Sequence, residues 1–192
     1  MRVVGGEFRG RTLASPKAGS TSIRPTTDRT RESLFNILAH NWPEKIRGGR
    51  MLDLFAGTGA VGIEALSRGA AMALFIEQST EGRGLIRANI EAFGLQGRTK
   101  LFRRDATRMG DAGTMEPFDF VFADPPYGKG HGERALASLR DGGWLKSGVL
   151  VVVEEAATAV FSVPKGFRLE DTRDFGDTRM YFMIGDGDEQ TG

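Results

Sequence analysis

The chain has 192 residues, 40% of them hydrophobic and 27% charged, with no cysteine; this describes one ordinary domain with a core and excludes a disordered chain, a disulfide framework and a thiolate metal site. No apolar run approaches the ~18 residues of a membrane span, and the opening "MRVVGGEFRGRTL" lacks the apolar stretch of a secretory signal, so the expected location is cytoplasmic, with no membrane partner. The net charge of +1 conceals an asymmetry, because residues 1–50 hold ten Lys/Arg against four acids while the remainder is acidic.

In chain order, residues 2–5 and 9–13 around "GGEF" predict a short hairpin, and "ASPKAGSTSIRPTT" predicts a loop. "TTDRTRESLFNILAH" predicts a helix capped by Thr27 or Asp28, with Leu34, Ile37 and Leu38 as its apolar stripe and Pro43 helping to end it. From residue 50 the rhythm changes. The strands "MLDLF", "MALFIE", "KLFRRD", "DFVFAD" and "GVLVVVEE" alternate with helices closed by Gly69 and Gly94 and with a helix over "HGERALASLRDGG". "RLEDTRDFGDTRMYFMIG" predicts two further strands about a Gly-Asp turn, and the last seven residues are expected to be disordered. Strands alternating with helices imply a mostly parallel α/β sheet covered on both faces, with ligands beyond the carboxyl ends of the strands.

"DLFAGTGAVG" places Gly57, Gly59 and Gly62 between a strand and a helix, the spacing of a nucleotide-binding turn, with Glu77 twenty residues after Gly57. The loop alone does not separate NAD from S-adenosylmethionine. Asp53 tilts the choice toward S-adenosylmethionine: an anion just before the loop repels a pyrophosphate and favours a ligand carrying an ammonium and a sulfonium, the alternative being a helix-capping acid with no ligand role. Glu77, with Gln78 beside it, is placed to accept both ribose hydroxyls, and Asp105 with Ala106 is placed to meet the adenine amino group. Phe55, Ala56 and Thr58 complete the expected cofactor loop.

The fourth strand ends in Asp124-Pro125-Pro126-Tyr127. This "DPPY" resembles the motif of methyltransferases that act on planar amino nitrogens. "RGRTL", "IRPTTDRTRESLFNIL", "DLFAGTGAVGIEALSRGA", "FIE", "DPPYGKG" and "LRDGGWL" follow one another as in the bacterial 16S rRNA guanine-N2 methyltransferases of the small-subunit methyltransferase D type, over about residues 1–155. The resemblance implies a class I S-adenosylmethionine-dependent methyltransferase fold, a Rossmann-like, seven-stranded, mostly parallel sheet with a small N-terminal hairpin and helix. It implies the cofactor S-adenosylmethionine and, as substrate, one guanine of 16S rRNA in an assembled or partly assembled small subunit.

On this reading residues 1–49 are a basic, RNA-contacting extension, 50–185 the methyltransferase domain and 186–192 a tail. Asp124 and the Pro125 carbonyl accept the two N–H groups of the target amine, the prolines stiffen the turn, and Tyr127 stacks on the extruded base. No metal is required. Arg9, Arg11, Arg24, Arg29 and Arg31 are candidates for RNA phosphates, and Arg24 and Thr26 also lie near the expected cofactor. Asn36 is read as a support for the catalytic loop, His131 as a helix-start residue, Trp42 and Trp144 as packing, and Glu154 as a strand-end acid without a chemical task. The competing readings are a DNA adenine-N6 methyltransferase, which shares the motif but needs a target-recognition domain not evident here, and a non-catalytic RNA-binding assembly factor.

Overall fold

The computed structural model describes residues 1–186. Its elements run α1 (Asp28–Asn41), α2 (Pro43–Ile46), β1 (Arg50–Leu54), α3 (Ala60–Ser67), β2 (Met72–Ile76), α4 (Thr80–Ala92), a 3-10 turn (Gln96–Arg98), β3 (Thr99–Phe102), β4 (Phe118–Ala123), α5 (His131–Gly142), β5 (Leu145–Ala156), β6 (Phe167–Phe175) and β7 (Thr178–Gly185). The seven strands form one sheet in the order β3-β2-β1-β4-β5-β7-β6. The first five are parallel, while β7 runs antiparallel to both β5 and β6. The chain leaves β1 toward β2 and β3, then crosses back to place β4 on the other flank of β1. The switch point, where open α/β sheets bind ligands, therefore lies beyond Leu54 and Ala123.

Alternation along the strands feeds two apolar layers. On one side Phe35 and Leu38 of α1, Ile63 of α3 and Ile86 of α4 pack on Phe75, Phe120 and Phe182. On the other, Leu136 and Leu139 of α5 and Trp144 pack on Leu52, Val121 and Val151. Trp42 stacks on Phe182 at 5.8 Å between ring centroids, and the Trp144 Nε1 donates to the Gly110 carbonyl at 2.8 Å, so both tryptophans are packing residues as expected.

Two local expectations change, and the choice of cap for α1 is decided. The N-terminal hairpin is reduced to one antiparallel bridge, Arg2 to Thr12. Its ladder stays short, with the Val3 N–H on the Arg11 carbonyl (3.0 Å) and the Leu13 N–H on the Met1 carbonyl (2.9 Å), while Val4 and Gly5 donate their N–H groups to the buried Glu64 carboxylate on α3, at 2.9 and 3.0 Å. Thr27 caps α1, its hydroxyl accepting from the Thr30 N–H at 3.2 Å, and Pro43 opens the short helix α2 rather than only ending α1. The third strand stops at Phe102, before the "RRD" expected to belong to it. Of the expected tail, Asp186 donates its N–H to the Gly166 carbonyl at 3.0 Å; the rest lies outside the described residues.

Candidate active site

A cavity of about 480 Å³ opens beyond the carboxyl ends of β1, β2 and β4. The loop leaving β1 forms its floor. Phe55 takes φ 52°, and Gly57 and Gly59 take φ 58° and 75°, so the loop coils tightly enough to turn α3 onto the sheet. A left-handed phenylalanine costs roughly 1–2 kcal/mol, the kind of local strain that accumulates where a backbone must meet a ligand. Gly62 is required by packing: a Cβ there would lie 2.3 Å from the Phe75 ring.

Asp53, 2% exposed, ends β1 with its Oδ2 accepting the Gly62 N–H at 3.1 Å. Burial pushes its carboxyl well above the usual range, the Gly62 N–H opposes this, and the nearby charges of Glu77 and Asp124 reinforce it. Its link to the third residue of α3 is a helix-capping contact, and the same group lines the cavity. Glu77, just past β2, accepts the Gly57 N–H on Oε1 at 2.8 Å and the Ser79 N–H on Oε2 at 2.9 Å. Both oxygens keep lone pairs for a diol. This donor set fits a cationic adenosine ligand: two carboxylates, a tight glycine turn and no basic side chain at the first turn of α3. A pyrophosphate would sit against Asp53.

Phe55, Ala56, Gly57, Thr58, Gln78 and Ala106 line the cavity with these acids, and so do Arg24 and Thr26. Gly59 shapes the turn without facing the cavity. Asp105 departs from the expectation that it meets adenine. It is not part of the lining, and its Oδ1 closes an Asx turn by accepting from the Thr107 N–H (2.9 Å) and hydroxyl (2.7 Å), contacts that hold its carboxyl below the usual range. Its neighbours Arg104 and Ala106 face the cavity instead.

The opposite wall is Asp124, Pro125, Pro126 and Tyr127. Asp124 sits one residue past β4 and is partly open to the cavity. Desolvation and the negative charge of Glu154 push it up to about 8, while Tyr127 and Arg24 act in the opposite sense. The Tyr127 hydroxyl donates to Glu154 Oε1 at 3.2 Å, and the Arg24 guanidinium lies over the Tyr127 ring at 5.2 Å.

The arginines divide. Arg9, Arg24 and Arg29 are exposed. Arg11 is exposed too, but it donates to the Ala92 carbonyl at 2.7 Å and lies 4.3 Å over the Phe93 ring, which seats the N-terminal segment. Arg31 is a correction. It is fully buried, with its guanidinium bound to the Thr26 carbonyl (2.6 Å), the Arg2 carbonyl and Asp28 (2.7 Å), so it shapes the fold and cannot reach RNA. Asn36 is exposed on α1, and the described residues give it no hydrogen bond to the catalytic loop.

Sequence reasoning passed over two features. Residues 21–23 also line the cavity, held there by Ser20 and Ser22 hydroxyls on Glu81 Oε2 (2.9 and 2.7 Å) and by Ile23 against Gly57. Glu154, expected to be a strand-end acid without a chemical task, and its neighbour Glu155 both bind the loop after β4. Two adjacent acids closing an otherwise apolar strand were the available signal.

The family described as conserved hypothetical protein 95 matches residues 1–184. The chain is 39% identical over 171 residues to ribosomal RNA small subunit methyltransferase D of Escherichia coli K12, covering 88% of this chain and 82% of that one. The chain belongs to the small-subunit rRNA methyltransferase D family. A relative of the same name from Haemophilus influenzae is 31% identical over 185 residues, covering 94% of this chain and 93% of the other. A solved Escherichia coli protein, yhhF, named as a proposed methyltransferase, superposes with a TM-score of 0.82 at 32% identity, over 98% of this chain and 99% of that one. The fold is the class I S-adenosylmethionine-dependent methyltransferase fold, whose cofactor is S-adenosylmethionine, and the family makes the chain a methyltransferase.

Proposed function

We propose that the protein transfers a methyl group from S-adenosylmethionine to the exocyclic N2 amine of one guanine in 16S rRNA, within the small ribosomal subunit or an assembly intermediate. One observation carries this reading: a single cavity joins the Asp53–Glu77 cradle to the Asp124–Tyr127 wall. The names of the family's members favour rRNA of the small subunit as substrate. The division into a basic extension over 1–49, a methyltransferase domain over 50–185 and a cytoplasmic location belong to the same proposal.

S-adenosylmethionine supplies, when bound, a methyl group activated by its sulfonium charge, so no metal is needed. Asp53 and Glu77 hold the positive and hydroxylated parts of that ligand through the contacts their free lone pairs permit. At the opposite wall, the amine of a purine is a poor nucleophile because its lone pair is delocalised. Asp124 accepts one of its N–H groups and the Pro125 carbonyl the other, which localises the lone pair and aims it across the cavity. Pro126 adds no competing donor and stiffens the turn. Tyr127 presents a ring for stacking by an extruded base, a contact of about 1–3 kcal/mol. In its ionised form, whose share grows as pH rises through about 8, Asp124 takes the proton released on methyl transfer. Arg9 and Arg29, exposed and unpaired among the described residues, are the first candidates for phosphate contact, with Arg24 beside the base.

The test is transfer of labelled methyl from S-adenosylmethionine to small subunits lacking the modification, to free 16S rRNA and to duplex DNA. Incorporation as N2-methylguanosine in the rRNA substrates supports the reading. Incorporation only as N6-methyladenine in DNA contradicts it.

A further inference from the structure

Successive strand residues point to opposite faces of a sheet, yet at the end of β5 both faces reach the same short loop. Glu154, 7% exposed, accepts the Tyr127 hydroxyl on Oε1 at 3.2 Å. Glu155, 2% exposed, accepts on its Oε1 from the N–H groups of Gly128 and Ala156, each at 2.8 Å. The chain turns at Tyr127 and Gly128, and the Gly128 N–H goes to Glu155. Among the described residues no backbone N–H bonds the Pro125 carbonyl. The second oxygen of Glu154, Oε2, is buried without a hydrogen-bond partner. Thr178, beside it on β7, directs its hydroxyl to the Phe175 carbonyl at 3.1 Å. A buried carboxyl with an unmatched oxygen destabilises a fold, so Glu154, with a second buried acid beside it, is a costly way merely to end a strand.

We infer that Glu154 and Glu155 are positioning residues for the methyl-acceptor amine: Glu155 holds the loop in the form that leaves the carbonyl of Pro125, a cavity-wall residue, without a backbone partner, and Glu154 fixes Tyr127 beside Asp124. This inference rests on the methyl-transfer reading given above. The ionisable groups facing Glu154 are Asp124 and Tyr127 from the loop after β4 and Arg24 from the N-terminal segment; Arg179 on β7 is engaged with Asp174 at 2.6 Å. Burial raises Asp124 most, and the charge of Glu154 raises it further, as does that of Glu155, while Arg24 opposes all three. Glu154 thereby makes the Asp124 carboxylate more basic, and that carboxylate accepts the amine proton once it is ionised.

The experiment compares the full chain with Glu155→Ala, Glu155→Gln and Glu154→Gln. Glutamine can still accept both N–H groups at 155, so Glu155→Gln should keep kcat within about threefold, whereas Glu155→Ala should lose about 10- to 100-fold in kcat with an unchanged Kd for S-adenosylmethionine. Glu154→Gln should retain the tyrosine contact yet lower the titration midpoint of Asp124, followed by carboxyl-labelled NMR without substrate, by roughly one pH unit, and the acid limb of kcat should move with it. Equal kcat in Glu155→Ala and wild type, or an unmoved Asp124 midpoint in Glu154→Gln, overturns the inference. If wild type shows the midpoint shift against Glu154→Gln but methylates no rRNA, the substrate reading fails while the coupling stands. Thermal melts of each variant identify a loss caused by unfolding, and the NMR arm is read on Glu154→Gln, whose substitution removes a buried charge and is expected to fold.

Discussion

The Gly57 N–H donates to Glu77 Oε1 at 2.8 Å, so the glycine turn after β1 is pinned to the acid that ends the neighbouring strand. One side chain therefore fixes the shape of the cofactor loop and offers oxygens to the ligand. Glu77→Ala removes both. Losing a half-buried charge-assisted acceptor costs about 1.5–3 kcal/mol, which corresponds to a 10- to 100-fold weaker Kd for S-adenosylmethionine by isothermal titration calorimetry. Glu77→Gln, which keeps one acceptor, should fall between.

Asp124 gives a pH dependence with a definite sign. Its carboxyl is raised from 3.8 to about 8, so the folded state binds a proton that the unfolded state has released. Stability from that proton is fully present below about pH 4 and is lost as pH rises through about 8. Asp53 and Glu154, also raised, act in the same direction. Asp124→Asn should therefore gain melting temperature relative to wild type progressively between pH 4 and pH 8, with a constant difference above that. The same variant should lose at least about 100-fold in methyl transfer while still binding the cofactor.

Arg31 and Glu64, both fully buried, carry the seat of the N-terminal segment: their side chains approach to 3.7 Å, and Glu64 also takes Arg68 at 2.9 Å. Removing one partner of a buried pair strands the other, so Glu64→Ala should destabilise the protein by about 3–5 kcal/mol in urea unfolding. By contrast, Arg9→Ala and Arg29→Ala should leave stability within about 0.5 kcal/mol and weaken RNA binding, with a shallower salt dependence.

Gly62 lies within α3, where alanine is ordinarily preferred by about 1 kcal/mol. The Phe75 ring, 2.3 Å from a Cβ at that position, reverses the sign. Gly62→Ala should destabilise by about 1–3 kcal/mol and weaken cofactor affinity, because Asp53 Oδ2 would stand 3.2 Å from the same methyl.

What could be read from the chain alone was what is local. The α/β rhythm, the Gly57–Gly62 turn and Asp124–Tyr127 are contiguous, and their spacing carries the geometry. The N-terminal hairpin forms but is short, and the N–H groups of Val4 and Gly5 go to Glu64, some sixty residues on. Arg31 looked like one more basic residue of the arm, since nothing near it in sequence reveals the buried Glu64 opposite. Asp105 follows a strand as an adenine-binding acid would, but Thr107, two residues on, takes its Oδ1 through N–H and hydroxyl. Glu154 and Glu155 bind a loop 27 residues away, and no periodicity reports that contact.

The account depends most on the two walls of one cavity acting on a single guanine amine. Mass-spectrometric mapping of methylated nucleotides in 16S rRNA, from cells with the wild-type protein, with Asp124→Ala and with none, tests this directly. The account predicts one N2-methylguanosine present with wild type and absent from the other two. An unchanged methylation map across all three, or the same guanine methylated by Asp124→Ala, would contradict it.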